Sequence, residues 1–166
     1  MSKARKRRPS ALTLIILLIV VVVSGVLFVG ATSGWFDNTD TRVVLDEEYH
    51  PGKADFLSLG ANEYEELLGA QKSFIIFVDQ EGCTTADRLN EYITKYIEER
   101  GIIVYRMMFS DVKESSLHDQ VKYYPSMVIV SKGKPVAWLK ADSDDDAEFY
   151  NNYEKFEEWL NERLKI

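Results

Sequence analysis

The first feature in the pattern of hydrophobic and polar positions is a long apolar segment near the N-terminus. Residues 11–30 include no charged side chain. A helix of about 20 apolar residues, rising ~1.5 Å per residue, matches the ~30 Å hydrocarbon core of a bilayer. The pattern therefore predicts a single-pass membrane protein with one transmembrane helix at residues 11–31, through which the chain contacts the membrane.

The charges on either side of this segment predict its orientation. Five basic residues lie within Lys3–Arg8, whereas the acidic residues Asp37 and Asp40 follow the apolar segment. Basic flanks stay on the cytosolic side of a membrane. We therefore expect residues 1–10 to form a cytosolic basic tail and the C-terminal part of the chain to lie outside the cytosol.

A cleaved signal peptide is the alternative to a retained membrane anchor, because small residues stand at 29–31. However, the apolar stretch exceeds the ~7–15 residues usual for such a peptide. A retained anchor is favoured for that reason. The sequence has no Asn-x-Ser/Thr acceptor for glycosylation, which favours a bacterial cell envelope over a secretory lumen.

The next stretch has no sustained hydrophobic period. Residues 32–55 include Gly34, Pro51, Gly52 and scattered polar residues. Such a composition is typical of a connecting segment. We predict an extracytoplasmic linker here, with a short strand at Val43–Leu45.

From residue 56 to the C-terminus the pattern alternates between short apolar runs and amphipathic stretches. Apolar runs without alternation indicate strands buried on both faces, and apolar residues spaced at i, i+3, i+4 and i+7 indicate helices. The predicted strands lie at 56–59, 73–78, 102–109, 126–130 and 135–140, and the predicted helices begin near 62, 84, 114 and 153. Parallel units followed by an antiparallel hairpin give an α/β domain at 56–166, with a mixed central sheet flanked by helices.

Composition and charge narrow the classes of ligand. The net charge of −7, with five of the 20 basic residues in the N-terminal tail, would repel a phosphate backbone, so we expect no nucleic-acid partner. His50 and His118 are far apart and have no Cys, Asp or Glu at zinc-binding spacing. No glycine-rich phosphate loop is present, and we expect no cofactor and no metal.

One acidic segment lies between the last predicted strand and the last predicted helix. Asp142, Asp144 and Asp146 resemble the first ligands of an EF-hand calcium loop. The same register requires a glycine and a bidentate glutamate further on, where the chain has Ala147 and Tyr153. The segment is therefore interpreted as a solvated acidic loop, and a looser calcium contact is left open.

The chain has a single cysteine, Cys83, between an apolar strand and the start of a helix. The free N–H groups at a helix N-terminus favour the thiolate form of such a side chain, whereas the nearby carboxylates of Asp79, Glu81 and Asp87 disfavour it. Cys83 is therefore a candidate nucleophile. The alternative is an inert, small apolar side chain.

Over about 110 residues, from 56 to 166, the chain resembles the thioredoxin family. Three features carry the resemblance: the strand 74–78 leading into G-C-T-T-A at 82–86, the stretch V-K-Y-Y-P-S at 121–126, and the hairpin at 128–136. The resemblance implies a thioredoxin-like fold in which Pro125 is a cis-proline that faces Cys83. It also implies that Tyr124, Pro125, Gly82 and Thr84 contact a bound partner.

The chain departs from the family at the redox centre. The family has W-C-G-P-C where this chain has Gly82 before the cysteine, two threonines after it, and Ala86 in the place of the second cysteine. The position of the family's buried acid is occupied by Phe77. A disulfide needs two sulfur atoms, so this degenerate site excludes an internal dithiol cycle.

Two functions remain from the sequence. In the first, the domain is a protein-binding or accessory module of the cell envelope, with a protein partner in the groove between Cys83 and Pro125. In the second, Cys83 carries out monothiol disulfide exchange, which would allow isomerisation or retention of client proteins. The resemblance extends to monothiol glutaredoxins, but their cytosolic glutathione setting does not suit an outward-facing domain.

Overall fold

The computed structural model describes residues 40–166. The predicted basic tail, the transmembrane helix at 11–31 and the first residues of the predicted linker lie outside the described residues. Within 40–166, no helix is both long enough and apolar enough to cross a bilayer. Residues Thr41–Ile166 form one compact unit.

This unit has five strands and four α-helices. The strands are β1 (Asp55–Ser58), β2 (Phe74–Asp79), β3 (Ile103–Met108), β4 (Ser126–Ser131) and β5 (Lys134–Trp138), and the helices are α1 (Ala61–Gly69), α2 (Thr84–Arg100), α3 (Phe109–Lys113) and α4 (Tyr153–Asn161). Three short 3₁₀ helices lie at Glu47–Tyr49, Ser116–Asp119 and Asp144–Tyr150.

The strands form one mixed sheet in the order β1-β3-β2-β4-β5. β3 is parallel to both β1 and β2, whereas β4 is antiparallel to β2 and to β5. The central strands β2 and β4 are buried almost throughout, as their unbroken apolar runs predict. The predicted α/β architecture of a mixed sheet flanked by helices is confirmed.

The folded unit starts earlier in the chain than the predicted boundary at residue 56. The N–H of Val43 donates to the carbonyl of Arg163 at 2.7 Å, and the N–H of Lys165 donates to the carbonyl of Val43 at 2.9 Å. Leu45 and Tyr49 are buried in the same core. Residues 41–55 therefore belong to the domain rather than to a linker, and the predicted strand at Val43–Leu45 is a single bridge to Leu164.

The helix predicted near residue 114 is also displaced. α3 ends at Lys113, and a 3₁₀ helix follows at Ser116–Asp119. Ser115 between them has an extended backbone, with φ −114° and ψ 166°, so the two pieces cannot join into one helix. The result is a bent connection that leads from β3 to the loop before Pro125.

Candidate functional site

Cys83 lies at the end of the turn that joins β2 to α2. Gly82 has a φ of +76°, in the left-handed region that glycine adopts without steric cost. Cys83 is the N-cap residue of α2, and its carbonyl accepts the N–H of Asp87 at 3.0 Å. Its half-buried side chain makes no capping hydrogen bond, so the thiol is not used to hold the helix.

The loop before β4 supplies the other part of the site. The peptide bond between Tyr124 and Pro125 is cis, as the resemblance implies. Pro125 is buried, whereas the side chain of Tyr124 is 40% exposed and its ring packs on Phe109 with 4.8 Å between centroids. An aromatic ring is thereby held at the surface next to the cis-proline.

Cys83, Tyr124 and Pro125 line one cleft of about 340 Å³. Thr85 lines it on the side of α2, and the opposite wall is formed by part of the segment 141–151. Gly82 and Thr84, which the resemblance places at the site, are exposed and are not among the lining residues. The structure therefore brings together three of the five predicted site residues.

Tyr150 and Asn151 are site residues that sequence reasoning missed. The buried hydroxyl of Tyr150 donates to the carbonyl of Pro125 at 2.9 Å, and Asn151 accepts a hydrogen bond from Arg88 of α2 at 2.5 Å. Both contacts join residues that are distant in the sequence. The only sequence signal was an aromatic residue at the end of an otherwise acidic segment.

Carboxylates give the far wall of the cleft its charge. Asp142 and Asp144 line the cleft, whereas the carboxylate of Asp146 accepts the N–H of Lys140 at 2.6 Å. Burial, followed by the negative charges of Asp146 and Asp142, raises the pKa of Tyr150 above its usual range. The phenol is therefore protonated at neutral pH and remains a hydrogen-bond donor to Pro125.

Phe77 is fully buried in β2, opposite Arg106 of β3. The guanidinium of Arg106 lies 5.6 Å from the ring centroid of Phe77 and 4.7 Å from that of Phe56. Its Nε atom lies 3.7 Å from a carboxylate oxygen of Asp79. The charge of Arg106 is thus balanced at the end of the strand, and Phe77 brings no proton-transfer group to this part of the core.

The described residues contain no group of three or more His, Cys, Asp and Glu side chains that could hold a metal ion. His50 follows the 3₁₀ helix Glu47–Tyr49, whereas His118 lies in the 3₁₀ helix Ser116–Asp119. The acidic residues 144–146, which the sequence predicts to lie in a loop, begin a 3₁₀ helix.

Comparison with known proteins gives structural matches only. No family model matches the chain, and no curated protein matches it. The reduced thioredoxin pre-protein of Schistosoma mansoni matches with a TM-score of 0.50 and 13% identity, over 66% of this chain and 99% of that one. A mutant thioredoxin of Halobacterium salinarum gives a TM-score of 0.48 and 13% identity, over 70% of this chain and 95% of that one.

A third match is the oxidised mitochondrial thioredoxin 3 of Saccharomyces cerevisiae, with a TM-score of 0.46 and 16% identity over 64% of this chain and 93% of that one. At such low identity the likeness concerns the fold alone. Together with the observed sheet order, the match to the Schistosoma protein shows that the domain has a thioredoxin-like fold, with one cysteine in the whole chain.

Proposed function

We propose that this chain is a protein-binding or accessory module that displays its thioredoxin-like domain outside the cytosol. In this proposal residues 11–31 anchor the chain in the membrane of a cell envelope, residues 1–10 stay in the cytosol, and the cleft between Cys83 and Pro125 binds an extended segment of a protein partner. The observation that carries the proposal is an open cleft lined by Cys83. The second cysteine of the family's redox pair is missing from the chain.

The incomplete redox pair argues against turnover of dithiols. A dithiol cycle moves two electrons by making and breaking a bond between two sulfur atoms of the protein. Cys83 is the only cysteine of the chain, and Ala86 occupies the position of the second one. The fully buried Phe77 supplies no acid in the place of the family's proton acceptor.

The cleft itself favours binding. Its volume of about 340 Å³ accommodates several atoms of a partner side chain or backbone. Tyr124 is partly exposed while Phe109 holds its ring, so little side-chain freedom is lost when a partner packs on it. Held aromatic residues beside a groove are typical contact residues for extended segments.

The pull-down of a partner with the full chain in detergent tests this proposal. We expect Tyr124→Ala to reduce recovery about tenfold or more, because a central aromatic contact contributes ~2 kcal/mol or more. Tyr123→Ala is the matched control, since Tyr123 is 56% exposed but does not line the cleft. Cys83→Ala should leave recovery intact. Loss with Cys83→Ala and retention with Tyr124→Ala would contradict the proposal.

The membrane topology is tested separately. A tag at the C-terminus should be removed by protease added to intact spheroplasts, and a tag at the N-terminus should be protected until the membrane is lysed. Protection of the C-terminal tag would place the domain in the cytosol and would contradict this part of the proposal.

Monothiol disulfide exchange is the second candidate. The observation that favours it is the position of Cys83, which lines the cleft at the N-cap of a helix of 17 residues. In this reaction the Cys83 thiolate attacks one sulfur of a client disulfide, the client S–S bond breaks, and a client thiolate leaves. A client thiolate then attacks the client sulfur of the mixed disulfide and releases Cys83, so no net oxidation or reduction occurs.

Trapping distinguishes the two candidates. Membranes that contain the full chain are quenched with acid and alkylated. Their proteins are then separated by electrophoresis, first without and then with reductant. Discrete adducts that disappear in Cys83→Ala would support exchange. The absence of adducts, with partner recovery intact in that variant, would support the binding module alone.

A further inference from the structure

We propose that the outer edge of β5 binds a short, extended, acidic segment of a partner protein, which adds a strand to the sheet. No residue of β5 lines the cleft of Cys83. The edge is therefore a second interaction surface, beyond the one of the proposed function.

β5 has backbone groups available for such a strand. It is the last strand in the sheet order, and within residues 40–166 no strand pairs with its outer side. The N–H of Leu139 donates to the carbonyl of Met127 at 3.0 Å, and the next pair along the ladder is Trp138 with Val128. Because bonded and non-bonded pairs alternate in an antiparallel ladder, the N–H and C=O groups of Trp138 point away from β4. An added strand can pair with them.

A groove with exposed apolar surface lies beside this edge. It has a volume of about 370 Å³, and its lining includes Val136 and Trp138 of β5 and Trp159 of α4. Val136 is 52% exposed. A β-branched side chain stabilises a sheet chiefly by packing against neighbouring side chains, which Val136 largely lacks here. The side chains of an added strand would cover Val136 and enter the groove.

The opposite edge of the sheet, β1, is closed by its own side chains. The carboxylate of Asp55 accepts the N–H of Phe56 at 2.9 Å, and the guanidinium of Arg106 lies 4.7 Å from the ring centroid of Phe56. Contacts of this kind protect an edge from pairing with another chain. The two edges therefore differ, and β5 is the one that can accept a strand.

The open stretch of β5 is short. Before it stands Pro135, which has no N–H, and the register of β4 and β5 shifts at the same level. After it, the N–H of Lys140 is bonded to the carboxylate of Asp146 at 2.6 Å. The stretch 136–138 between these features has neither a proline nor a charged side chain. It fits a segment of a few residues rather than a long strand.

The charges at this edge favour an acidic occupant. Lys134 and Lys140 flank the open stretch, are exposed, and make no ion pair within the part of the chain that the structure describes. The nearby acids are already engaged, Asp146 by the N–H of Lys140 and Glu162 by Arg163 at 3.2 Å. Carboxylates of a bound strand would pair with the two lysines, while the backbone bonds and the covered apolar surface provide the rest of the affinity.

A second copy of this chain is the competing occupant. If two β5 strands paired antiparallel about Ala137, Lys134 of each copy would lie opposite Lys140 of the other. Like charges directly opposite each other destabilise a strand pair. The lysines that attract an acidic strand therefore also oppose self-association.

Fluorescence anisotropy with the full chain in detergent tests this inference. The probe is a short fluorescent peptide that alternates glutamate and valine, and the reference is its lysine and valine counterpart. We expect the glutamate peptide to bind, the lysine peptide not to bind, and the binding to weaken as salt rises. A glutamate peptide with N-methyl groups along its backbone should not bind, because strand addition uses main-chain hydrogen bonds. Equal binding of the methylated peptide would overturn the inference.

Charge reversal on β5 gives the second test. Lys134→Glu with Lys140→Glu should weaken binding of the glutamate peptide about tenfold or more and should allow the lysine peptide to bind instead. The matched control is Lys53→Glu with Lys113→Glu, which changes the net charge equally at two exposed lysines outside the groove. Equal weakening by both double variants, or no binding of the lysine peptide to the β5 variant, would overturn the inference.

Two further variants identify the occupant and the site. Tyr124→Ala should leave binding of the glutamate peptide unchanged, and loss of binding in this variant would place the peptide in the cleft and overturn the inference. Val136→Cys in a Cys83→Ala background should stay monomeric with oxidised glutathione. Rapid formation of disulfide-linked dimers, with no binding of the glutamate peptide to the unsubstituted chain, would show that the edge pairs with a second copy instead.

Discussion

The hydroxyl of Tyr150 donates a 2.9 Å hydrogen bond to the backbone carbonyl of Pro125. This bond joins the acidic segment that precedes α4 to the cis-proline loop that precedes β4, and both of its residues line the same cleft as Cys83. Because both partners are buried, neither group can exchange the bond for one to water.

We therefore expect Tyr150→Phe to lower the free energy of unfolding by about 1–3 kcal/mol, since it leaves a buried carbonyl without a partner. Urea denaturation measures the change. Tyr64→Phe is the matched control, because the hydroxyl of Tyr64 is buried and makes no hydrogen bond within the described residues. An equal loss of stability in both variants would show that the contact with Pro125 has no particular role.

High pH should destabilise the domain through its buried tyrosines. Burial raises the pKa of Tyr96 to about 12, against a smaller opposing effect of Arg100. An unfolded tyrosine titrates near ~10, so this contribution to stability is complete below pH ~10 and is lost as the pH rises toward the folded pKa.

Absorbance of the phenolate measures this behaviour. We expect part of the tyrosine absorbance to appear only above pH ~11 and to coincide with the loss of far-ultraviolet circular dichroism. Tyr96→Phe should remove one late-titrating group, because burial raises the pKa of Tyr96 to about 12. A single titration near ~10 for all tyrosines would contradict the prediction.

Gly133, in the turn between β4 and β5, should not tolerate a side chain. Its φ is +73°, and an added Cβ would lie 2.3 Å from the carbonyl oxygen of Leu68. We expect Gly133→Ala to destabilise the domain by about 2 kcal/mol or more, from left-handed backbone strain and from the clash with main chain. Gly60→Ala is the control, because an added Cβ there meets no atom within 4 Å.

The sequence was sufficient to predict the elements with strong local patterns. β2 is apolar at every position from Phe74 to Val78 because both faces of the central strand are covered, and α2 has one apolar face that packs on the sheet. The cis peptide bond at Tyr124–Pro125 came from the resemblance rather than from the dipeptide. These are the features that a single local segment, or a family motif, can encode.

The sequence was not sufficient for features made by distant contacts. Val43 enters the core through one bridge to Leu164, which leaves no periodic signal in either segment. The role of Tyr150 depends on a carbonyl 25 residues away. Ser115 interrupts a helical pattern through its backbone conformation alone. In each case the information lies in tertiary packing, which overrides or replaces local pattern.

The boundary of the folded unit gives a direct test of whether residues 41–55 stabilise the domain. A fragment of residues 41–166 should fold cooperatively, whereas one of residues 56–166 should be less stable by several kcal/mol, because it lacks the buried side chains of Val43, Leu45 and Tyr49. Thermal unfolding of the two purified fragments measures this difference. Equal melting temperatures would show that residues 41–55 behave as a linker after all.

The degenerate redox site can be completed by one substitution. Ala86 is 2% exposed in the first turn of α2, three residues after Cys83. Residues three apart in a helix share a face, so Ala86→Cys should form an intramolecular disulfide with Cys83 when oxidised glutathione is added. Mass spectrometry without reductant should show the loss of two hydrogens and no thiol that can be alkylated.

The control is Thr85→Cys, because residues two apart do not face each other on a helix and this variant should keep alkylatable thiols or form dimers. We also expect the Ala86→Cys variant to catalyse the reduction of insulin disulfides by dithiothreitol at a measurable rate. This activity should be lost when Cys83→Ala is added. The rate should stay low, because Phe77 offers no carboxylate to accept the proton of the second thiol. If Ala86→Cys keeps two free thiols under oxidant, the absence of a second cysteine is not what prevents a dithiol cycle, and the geometry around Cys83 must differ from that of a redox site.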